Sequence, residues 1–477
     1  MLPKPFLIPL LLVAASALAQ DTVIRQYQVR LLTPIGSESK HGDKFAARVL
    51  GPTGKHRAGE LPHNTVVHGT VRRVRPVGLG LKRERATLEL DFHGCALPSG
   101  DPLDCNAILL DLDNARERVT KPNTVQGIVA ASHPHSWFSG LWLRPRLALF
   151  GRSTIGLTGA SGMLQARVFA GPFAAAGMVG ARTLLFRLPD PEIHLPSGTD
   201  LILEIAAAPA LGPVHNLPSL DLPEDAADSL QTSPAEVAQF DGQKTADLIN
   251  VAFFCTREEL EQAFTAAGWT AAKPLNTRTF AKTYSAFASM NTYKAAPVSP
   301  LTYEGRAPDA VFQKSFNTLA KRHHIRLWNA TLPTGELVWL GAATHDIGIA
   351  FDWVKLSLTH RVDLRIDRER NILLNDFADA QCIDSLRLLD RPALKSDRES
   401  NSPRITDGDL AVARLRGCTA SEIVDPPRGK PNKLRLLTRR IVLEARHYIT
   451  RGNPYYYAVR AARSNPFKRS TPPGDDQ

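Results

Sequence analysis

The sequence has few cysteines, and they do not form the patterns that bind zinc or carry out thiol redox chemistry. Five cysteines occur in 477 residues, and no two of them form a C-x-x-C pair. A thiolate zinc site and thioredoxin-type chemistry are therefore disfavoured. The HExxH, GxSxG and phosphate-binding P-loop motifs are also missing from the sequence. The motifs thus indicate no known enzyme class.

Long uncharged apolar runs are scarce as well. Beyond the N-terminus, no run of 18 apolar residues is free of charge, whereas a membrane-spanning helix needs about 20. The richest candidate, residues 163–181, contains Arg167, Pro172 and several glycines. The Gly-rich segment 151–181 is therefore predicted to be flexible or to lie on a surface, and the sequence leaves open whether it contacts a membrane.

The N-terminal residues have the features of a secretory signal peptide. Lys4 precedes an apolar stretch at 6–12, and the Ala-Leu-Ala sequence at 17–19 fits a cleavage site. These features predict a signal peptide at 1–19, cleavage after Ala19, and export to the periplasm or cell envelope. No cysteine follows the apolar stretch, which argues against a lipid anchor there.

An exported protein folds in an oxidising compartment, where cysteines form disulfides. Cys95 and Cys105 flank a short turn and are predicted to join a hairpin. Cys382 could pair with Cys418, which would leave Cys255 free within an apolar strand. The alternative is five buried thiols, and for Cys382 and Cys418 the sequence favours neither possibility.

Residues 23–210 have the pattern of an all-β domain. Residues 65–78 and 86–95 alternate apolar and polar side chains, and turn residues are frequent between such runs. Because short strands must hide their edges by closure, a barrel or a sandwich is predicted. Residues 211–241 are rich in Pro, Asp, Ser and Glu, a composition that predicts a linker.

Residues 247–416 alternate between strand and helix patterns, which predicts an α+β domain. Thr256 with Glu259 forms a capping box, and Gly268 is expected to end the helix. The other predicted elements are strands at 248–255, 325–328, 337–343 and 409–416, and helices at 277–290 and 368–380 with Asp367 as the N-cap of the second.

The segment 321–370 concentrates side chains that titrate or bind metals. On a strand, His324 and Arg326 would share one face and suit a carboxylate or phosphate group, while His323 would face the core. Asp346 follows the end of the strand predicted at 337–343, although an Asx turn would also explain it. The catalytic candidates are His324, Arg326, Asp346 and His360. The candidate metal ligands are His360 and Asp363.

Segment 426–477 is a basic tail. Between residues 426 and 469 there are twelve Lys or Arg and one acid, Glu444. The tail is predicted either to be solvated or to form an amphipathic helix with Leu434, Leu437, Ile441 and Ala445 on one stripe. Outside the cytoplasm its expected partner is an anionic membrane surface or envelope polymer, and no nucleic acid is expected.

Two resemblances follow from these residues. The blocks NVAFFCTREELEQAFTAAGW, RHHIRLW, WLGAATHDIG and THRVDLRIDRER, spread over 247–409, resemble the LssY C-terminal domain family of bacteria. Arg361 stands where that family often has a second histidine, which puts a His-pair role there in doubt. The sequence LPSGTDL and the strands before it are weakly similar to β-barrel domains of bacterial envelope proteins. The resemblance implies an α+β envelope module and transfers no catalytic residues.

Two hypotheses about function follow. The first is an exported envelope protein that acts as a binding or structural module. The alternative is a hydrolase of phosphorylated or acidic envelope material, and the sequence does not decide whether the protein is an enzyme or which cofactor it holds.

Overall fold

The computed structural model describes the chain in segments. They comprise residues 23–54, 60–114, 116–128, 190–207, 217–239, 245–273, 293–296, 298, 301–315, 321–352, 357–396, 404–418 and 432–450. The predicted signal peptide, the Gly-rich segment 151–181, the predicted helix at 277–290 and the end of the basic tail lie outside these residues.

The N-terminal domain is a nearly closed antiparallel barrel, which confirms the predicted all-β fold and is the first of the two predicted architectures, barrel or sandwich. Its strands are β1 (Val23–Leu31), β2 (Ile35–Gly36), β3 (Lys44–Pro52), β4 (Val66–Arg75), β5 (Thr87–Ala96), β6 (Pro102–Leu103), β7 (Cys105–Leu112), β8 (Arg118–Lys121), β9 (Thr124–Gln126), β10 (His194–Leu195) and β11 (Asp200–Ala207). The main sheet has the order β7-β11-β1-β3-β4-β5-β9-β8, with β6 on β5, and β10 pairs with β2 separately. Inward-facing residues such as Val29, Val49 and Leu203 form its core.

A disulfide between Cys95 and Cys105 ties β5 to β7. Since β7 is one end of the strand order and β5 lies near the other, this bond holds the two sides of the barrel together. A second disulfide joins Cys382 to Cys418, and Cys255 is free. Both pairs are the disulfide candidates that were identified from the sequence.

The C-terminal domain is α+β, as predicted, and is built on an eight-stranded sheet. The strands of this domain are β12 (Glu236–Gln239), β13 (Thr245–Leu248), β14 (Val251–Phe254), β15 (Thr270–Ala271), β16 (Leu301–Thr302), β17 (Ala310–Lys314), β18 (Arg322–Thr331), β19 (Leu337–Asp352), β20 (Ser357–Val362), β21 (Ile383–Asp390) and β22 (Asp409–Leu415). The large sheet has the order β15-β17-β18-β19-β14-β22-β21, with β20 on β19, and β13-β12-β16 forms a small sheet.

Each face of the large sheet is covered by a separate apolar layer. The helices are α1 (Glu224–Thr232), α2 (Arg257–Ala266), α3 (Ile366–Asp379) and α4 (Lys433–Thr450), with a 3-10 turn at Pro392–Leu394. Helices α2 and α3 pack on one face through residues such as Phe264 and Phe377. Helix α1 and the small sheet cover the other face, where Trp328 is fully buried.

The predicted ends of helix α2 are confirmed, whereas the predicted start of helix α3 is not. Helix α2 begins with the predicted capping box, in which Thr256 and Glu259 bond to each other's backbone N–H. Gly268 follows it with a φ of +81°, a left-handed conformation that favours glycine. Helix α3 begins earlier than predicted, after Arg365, and Asp367 instead accepts bonds from Thr406 and Asp407.

The predicted linker at 211–241 is wrong for residues 217–239. This segment contains α1 and β12, and it buries Leu220, Leu230 and Val237 in the second core of the C-terminal domain. The acidic residues of this segment lie on its exposed side, and they gave it the composition of a linker. Its apolar residues lie on the other side and form part of the core.

Helix α4 lies against the N-terminal barrel. Leu443 is fully buried in the barrel core, where it contacts Gly80. Arg439 is also buried and forms ion pairs with Asp190 and Glu192. None of the helices in the described part of the chain combines the length and apolar character needed to cross a membrane.

The two domains meet along a polar face of α3. Asn371, Asn375, Asp376 and Asp379 are buried against strands β1 and β3 of the barrel and the residues directly after β3. The apolar face of the same helix packs on its own sheet. Helix α3 is therefore buried on both sides, with its polar side towards the other domain.

Candidate functional site

Three of the four predicted catalytic residues lie on one face of neighbouring strands. Strand β18 pairs with β19 so that Arg322 lies opposite Asp346 and His324 lies opposite Thr344. Residues alternate between faces along a strand, so His324, Arg326 and Asp346 face away from α2 and α3. All three side chains are buried.

Each of these three residues has a protein partner. Arg322 donates from Nε to Asp346 at 2.8 Å, and His324 Nδ1 lies 3.6 Å from the same carboxylate. Arg326 pairs with Asp247 at 2.9 Å. Burial raises the pKa of Asp247 despite its arginine partner. These contacts are those of a buried ionic network in the domain core.

The other two candidates lie on or directly after β20. His360 lies on β20 with its backbone opposite Ile349, and its side chain lies outside the described atoms. Asp363 follows β20, and its carboxylate lies 3.6 Å from both Arg365 and Arg368. Arginine pairing of this kind competes with metal binding by Asp363.

A cluster of titratable side chains lies where the two domains meet. Asp113, after β7 of the barrel, contacts His323 on β18 and His345 on β19, and all are buried. His323 donates from Nδ1 to Glu369 at 2.7 Å and from Nε2 to Asp113 at 2.8 Å. The rings of His323 and His345 stack with centroids 4.2 Å apart.

The pKa values of the two stacked histidines are shifted in opposite directions. Burial opposes a charge on His323, but the Asp113 and Glu369 carboxylates outweigh it and hold its pKa well above the usual value. Burial and the neighbouring His323 charge hold the pKa of His345 well below the usual value. Burial raises the pKa of Glu369. The cluster therefore favours a proton on His323, between the carboxyl groups of Asp113 and Glu369, and disfavours a second proton on His345.

A larger ionic network lies next to this cluster at the domain interface. Arg30 of the barrel binds Asp200 through two nitrogens, at 2.7 and 3.0 Å, and also reaches Asp376 and Asp379 at 2.8 Å. Lys314 bridges Asp200 and Asp376 at 3.0 and 2.7 Å. Because the charges alternate and each is hydrogen-bonded, the network offsets much of the desolvation penalty of burial.

An open cleft of about 470 Å³ lies between the domains at the start of α3. Its charged lining includes Arg25 from the barrel and Arg365 and Arg368 from α3 and the residue before it. The carboxylates in its wall are engaged, since Asp367 bonds to Thr406 and Asp407 bonds to Arg370. Arginine forks of this kind bind carboxylate or phosphate groups.

The candidate residues predicted on β18, His324 and Arg326, lie on one face of the strand, and the cluster around His323 lies on the other. The sequence pattern assigned His323 to the core, and neither Glu369 nor Asp113 is among the candidate residues that it gave. The alternation along β18 did predict that His323 points away from His324. The sequence carries no signal for Asp113, which lies 210 positions before His323 and reaches it only across the domain interface.

The C-terminal domain matches a known protein family. Residues 231–410 match the family described as LssY C-terminus. The match begins within α1 and ends within β22, so it covers nearly the whole C-terminal domain and none of the barrel. No curated protein matches the chain.

Proposed function

Residues 231–410 of this chain are an LssY C-terminal domain, and from that premise we propose that the protein is an exported binding module of the cell envelope. Its partner in this proposal is an anionic membrane surface, which the basic helix α4 contacts. The observation that carries the proposal is an apolar stripe on α4 that is exposed although the opposite side of the helix is fixed to the barrel.

The exposed stripe consists of Leu434, Leu437 and Ile441, which are 72%, 37% and 56% exposed. The spacing of three and four residues places them on one side of the helix. Leu443 and Arg439, on roughly the opposite side, hold α4 on the barrel. These are three of the four residues of the predicted stripe, and the side chain of the fourth, Ala445, lies outside the described residues. The three described residues face away from the barrel, which other residues of the helix contact.

Charge supports an anionic partner for this stripe. Lys433 and Arg435 are exposed beside Leu434, and residues 426–469 carry twelve cations against one acid. A helix with an apolar face and flanking cations lies in a membrane interface, where each cation near an anionic surface adds about 1 kcal/mol. An anionic envelope polymer would attract the same cations but would not bury the leucines.

Vesicle sedimentation tests this proposal. The mature protein should bind vesicles that contain phosphatidylglycerol and should bind less to vesicles of phosphatidylcholine alone. Ile441→Gln should weaken binding several-fold, because it removes one of the three exposed apolar side chains. Leu337→Gln is the matched control, since Leu337 is also 56% exposed but lies in the other domain.

The results separate the possible partners. Equal binding by the two variants would reject α4 as the contact surface. Binding that depends on charge but not on Ile441 would indicate a polymer. Export itself is tested by the intact mass of the protein from the envelope fraction, which should begin after Ala19.

The interdomain cleft supports one alternative, a hydrolase of phosphorylated or acidic envelope substrates. Arg25, Arg365 and Arg368 could orient a phosphate group there. The paired and buried state of His324, Arg326 and Asp346 argues for the module instead, because those residues were the expected catalytic set. Release of phosphate from a soluble phosphomonoester, abolished by Arg368→Met, would establish the alternative.

A further inference from the structure

We propose that Asp113, His323 and His345 bind a zinc ion that links the barrel to the LssY domain. One ligand atom from each of the three side chains lies within 4.8 Å of the other two. Asp113 belongs to the barrel, whereas the two histidines lie opposite each other on β18 and β19. A metal at this place would join the domains by direct coordination.

His345 provides the evidence that a ligand belongs here. Its side chain is only 5% exposed, and neither ring nitrogen has a hydrogen-bond partner among the described residues. Oxygen Oε1 of Glu369, on the far side of His323, also has none. Leaving a buried polar group unsatisfied costs about 1–3 kcal/mol. A metal bound by His345 removes this penalty at the nitrogen that faces Asp113.

The two distances between Asp113 and the histidines lie on either side of the ligand spacing in a tetrahedral zinc site. Nε2 of His345 lies 3.8 Å from Oδ1 of Asp113, and Nε2 of His323 lies 2.8 Å from Oδ2 of the same carboxylate. Zinc ligands at about 2.0–2.1 Å in a tetrahedron are about 3.4 Å apart. Small rotations of the three side chains would equalise the two spacings around one ion.

Glu369 completes the arrangement as a positioning residue. A histidine that binds zinc through one nitrogen usually donates its other N–H to a carboxylate, which fixes the ring. Nδ1 of His323 makes this bond to Glu369 at 2.7 Å. His323 is therefore oriented with Nε2 towards the proposed metal position.

The donor set selects zinc over the hard cations. Two imidazole nitrogens and one carboxylate oxygen suit zinc, whereas calcium and magnesium take oxygen ligands. When zinc binds, the proton on Nε2 of His323 is released to solvent, and the zinc–nitrogen bond replaces the hydrogen bond to Asp113. Water would occupy the fourth position.

Zinc titration of the full mature chain, first treated with a chelator, tests the proposal. One equivalent of zinc should bind and raise the melting temperature by about 5 °C, and calcium should not. X-ray absorption at the zinc edge should show nitrogen and oxygen neighbours at about 2.0–2.1 Å.

His345→Gln is the informative variant, because His345 makes no hydrogen bond with the described residues and its removal should spare the metal-free fold. It should lose the zinc-induced shift, while His68→Gln, at an exposed histidine of the barrel, should retain it. Binding of zinc by His345→Gln as tightly as by the unmodified protein would overturn the proposal. Absence of stoichiometric zinc binding by the unmodified chain, which needs no variant, would overturn it as well.

Discussion

At the scale of single residues, the main feature of this protein is the number of charged side chains that are buried in pairs. Arg30, Lys314 and Arg326 are each at most 7% exposed, and each contacts a buried aspartate. Removing one partner of such a pair is costly because the remaining charge keeps its desolvation penalty. Burial therefore distinguishes these residues from ligand-binding arginines at a surface.

Arg326 gives a direct test of this distinction. Arg326→Met should lower the free energy of unfolding by about 3–5 kcal/mol, because Asp247 stays buried without its cation. Denaturant unfolding measures the effect. Arg257→Met is the control, since the Arg257–Glu261 pair is exposed and its loss should change stability by less than about 0.5 kcal/mol. Unchanged stability of Arg326→Met together with lost ligand binding would instead make Arg326 a functional-site residue.

At the scale of elements, helix α3 places Asn375 close to the barrel because strand β3 has a glycine at that point. A Cβ atom added to Gly51 would lie 2.2 Å from Oδ1 of Asn375. Asn375 can therefore reach the backbone oxygen of Pro52, to which it donates at 3.2 Å. The close approach of α3 to β3 depends on this missing side chain.

Gly51→Ala should thus displace the buried Asn375 side chain from β3 and destabilise the protein by about 1–3 kcal/mol, the usual range for overpacking. Gly54→Ala is a matched control, because nothing lies within 4 Å of a Cβ at that position. Thermal unfolding of both variants provides the comparison. If both melt alike, the contact of Asn375 with β3 does not hold the domains together.

At the scale of the whole molecule, the domains should unfold together. The interface contains the Arg30 network, the Asp113 cluster and α4, whose Leu443 lies in the barrel core although it follows the LssY domain in sequence. We expect one calorimetric transition and protection of residues 217–239 from proteolysis, since α1 and β12 are packed there. Two separate transitions would show that the interface adds little stability.

Lowering the pH should weaken the interface between the two domains. Burial opposes the charge on Asp200, but Arg30 and Lys314 outweigh it and lower its pKa. A carboxylate with a lowered folded pKa stabilises the protein above its unfolded value, about 3.9, and this stability is lost as the pH falls through the folded pKa. The melting temperature should therefore fall steeply below about pH 4.

Asp200→Asn should be less stable at neutral pH and should lose less on acidification. Asp91→Asn, at an exposed carboxylate of the barrel, should behave like the unmodified protein. Melting curves from about pH 7 to about pH 3 measure both effects. Equal acid sensitivity of the two variants would contradict a role for Asp200.

The sequence by itself determined those features that depend on local periodicity and short contacts. Alternation in β4 and β5, the capping box at Thr256 and the strand faces around His324 were all predictable, because side-chain direction follows from backbone geometry. The family of residues 231–410 was recognisable for the same reason, since its blocks are contiguous in the chain.

Only the tertiary structure decided which polar faces are buried. The stripe of Asn371, Asn375 and Asp379 on α3 has the pattern of a solvent-exposed face, yet it packs on the barrel. Leu437 and Ile441 form the expected apolar stripe, yet they are exposed. His323 meets Asp113 only because the two domains dock. A polar helix face can be stabilised by water or by the charged and polar groups of another domain. The local sequence pattern is the same in both cases.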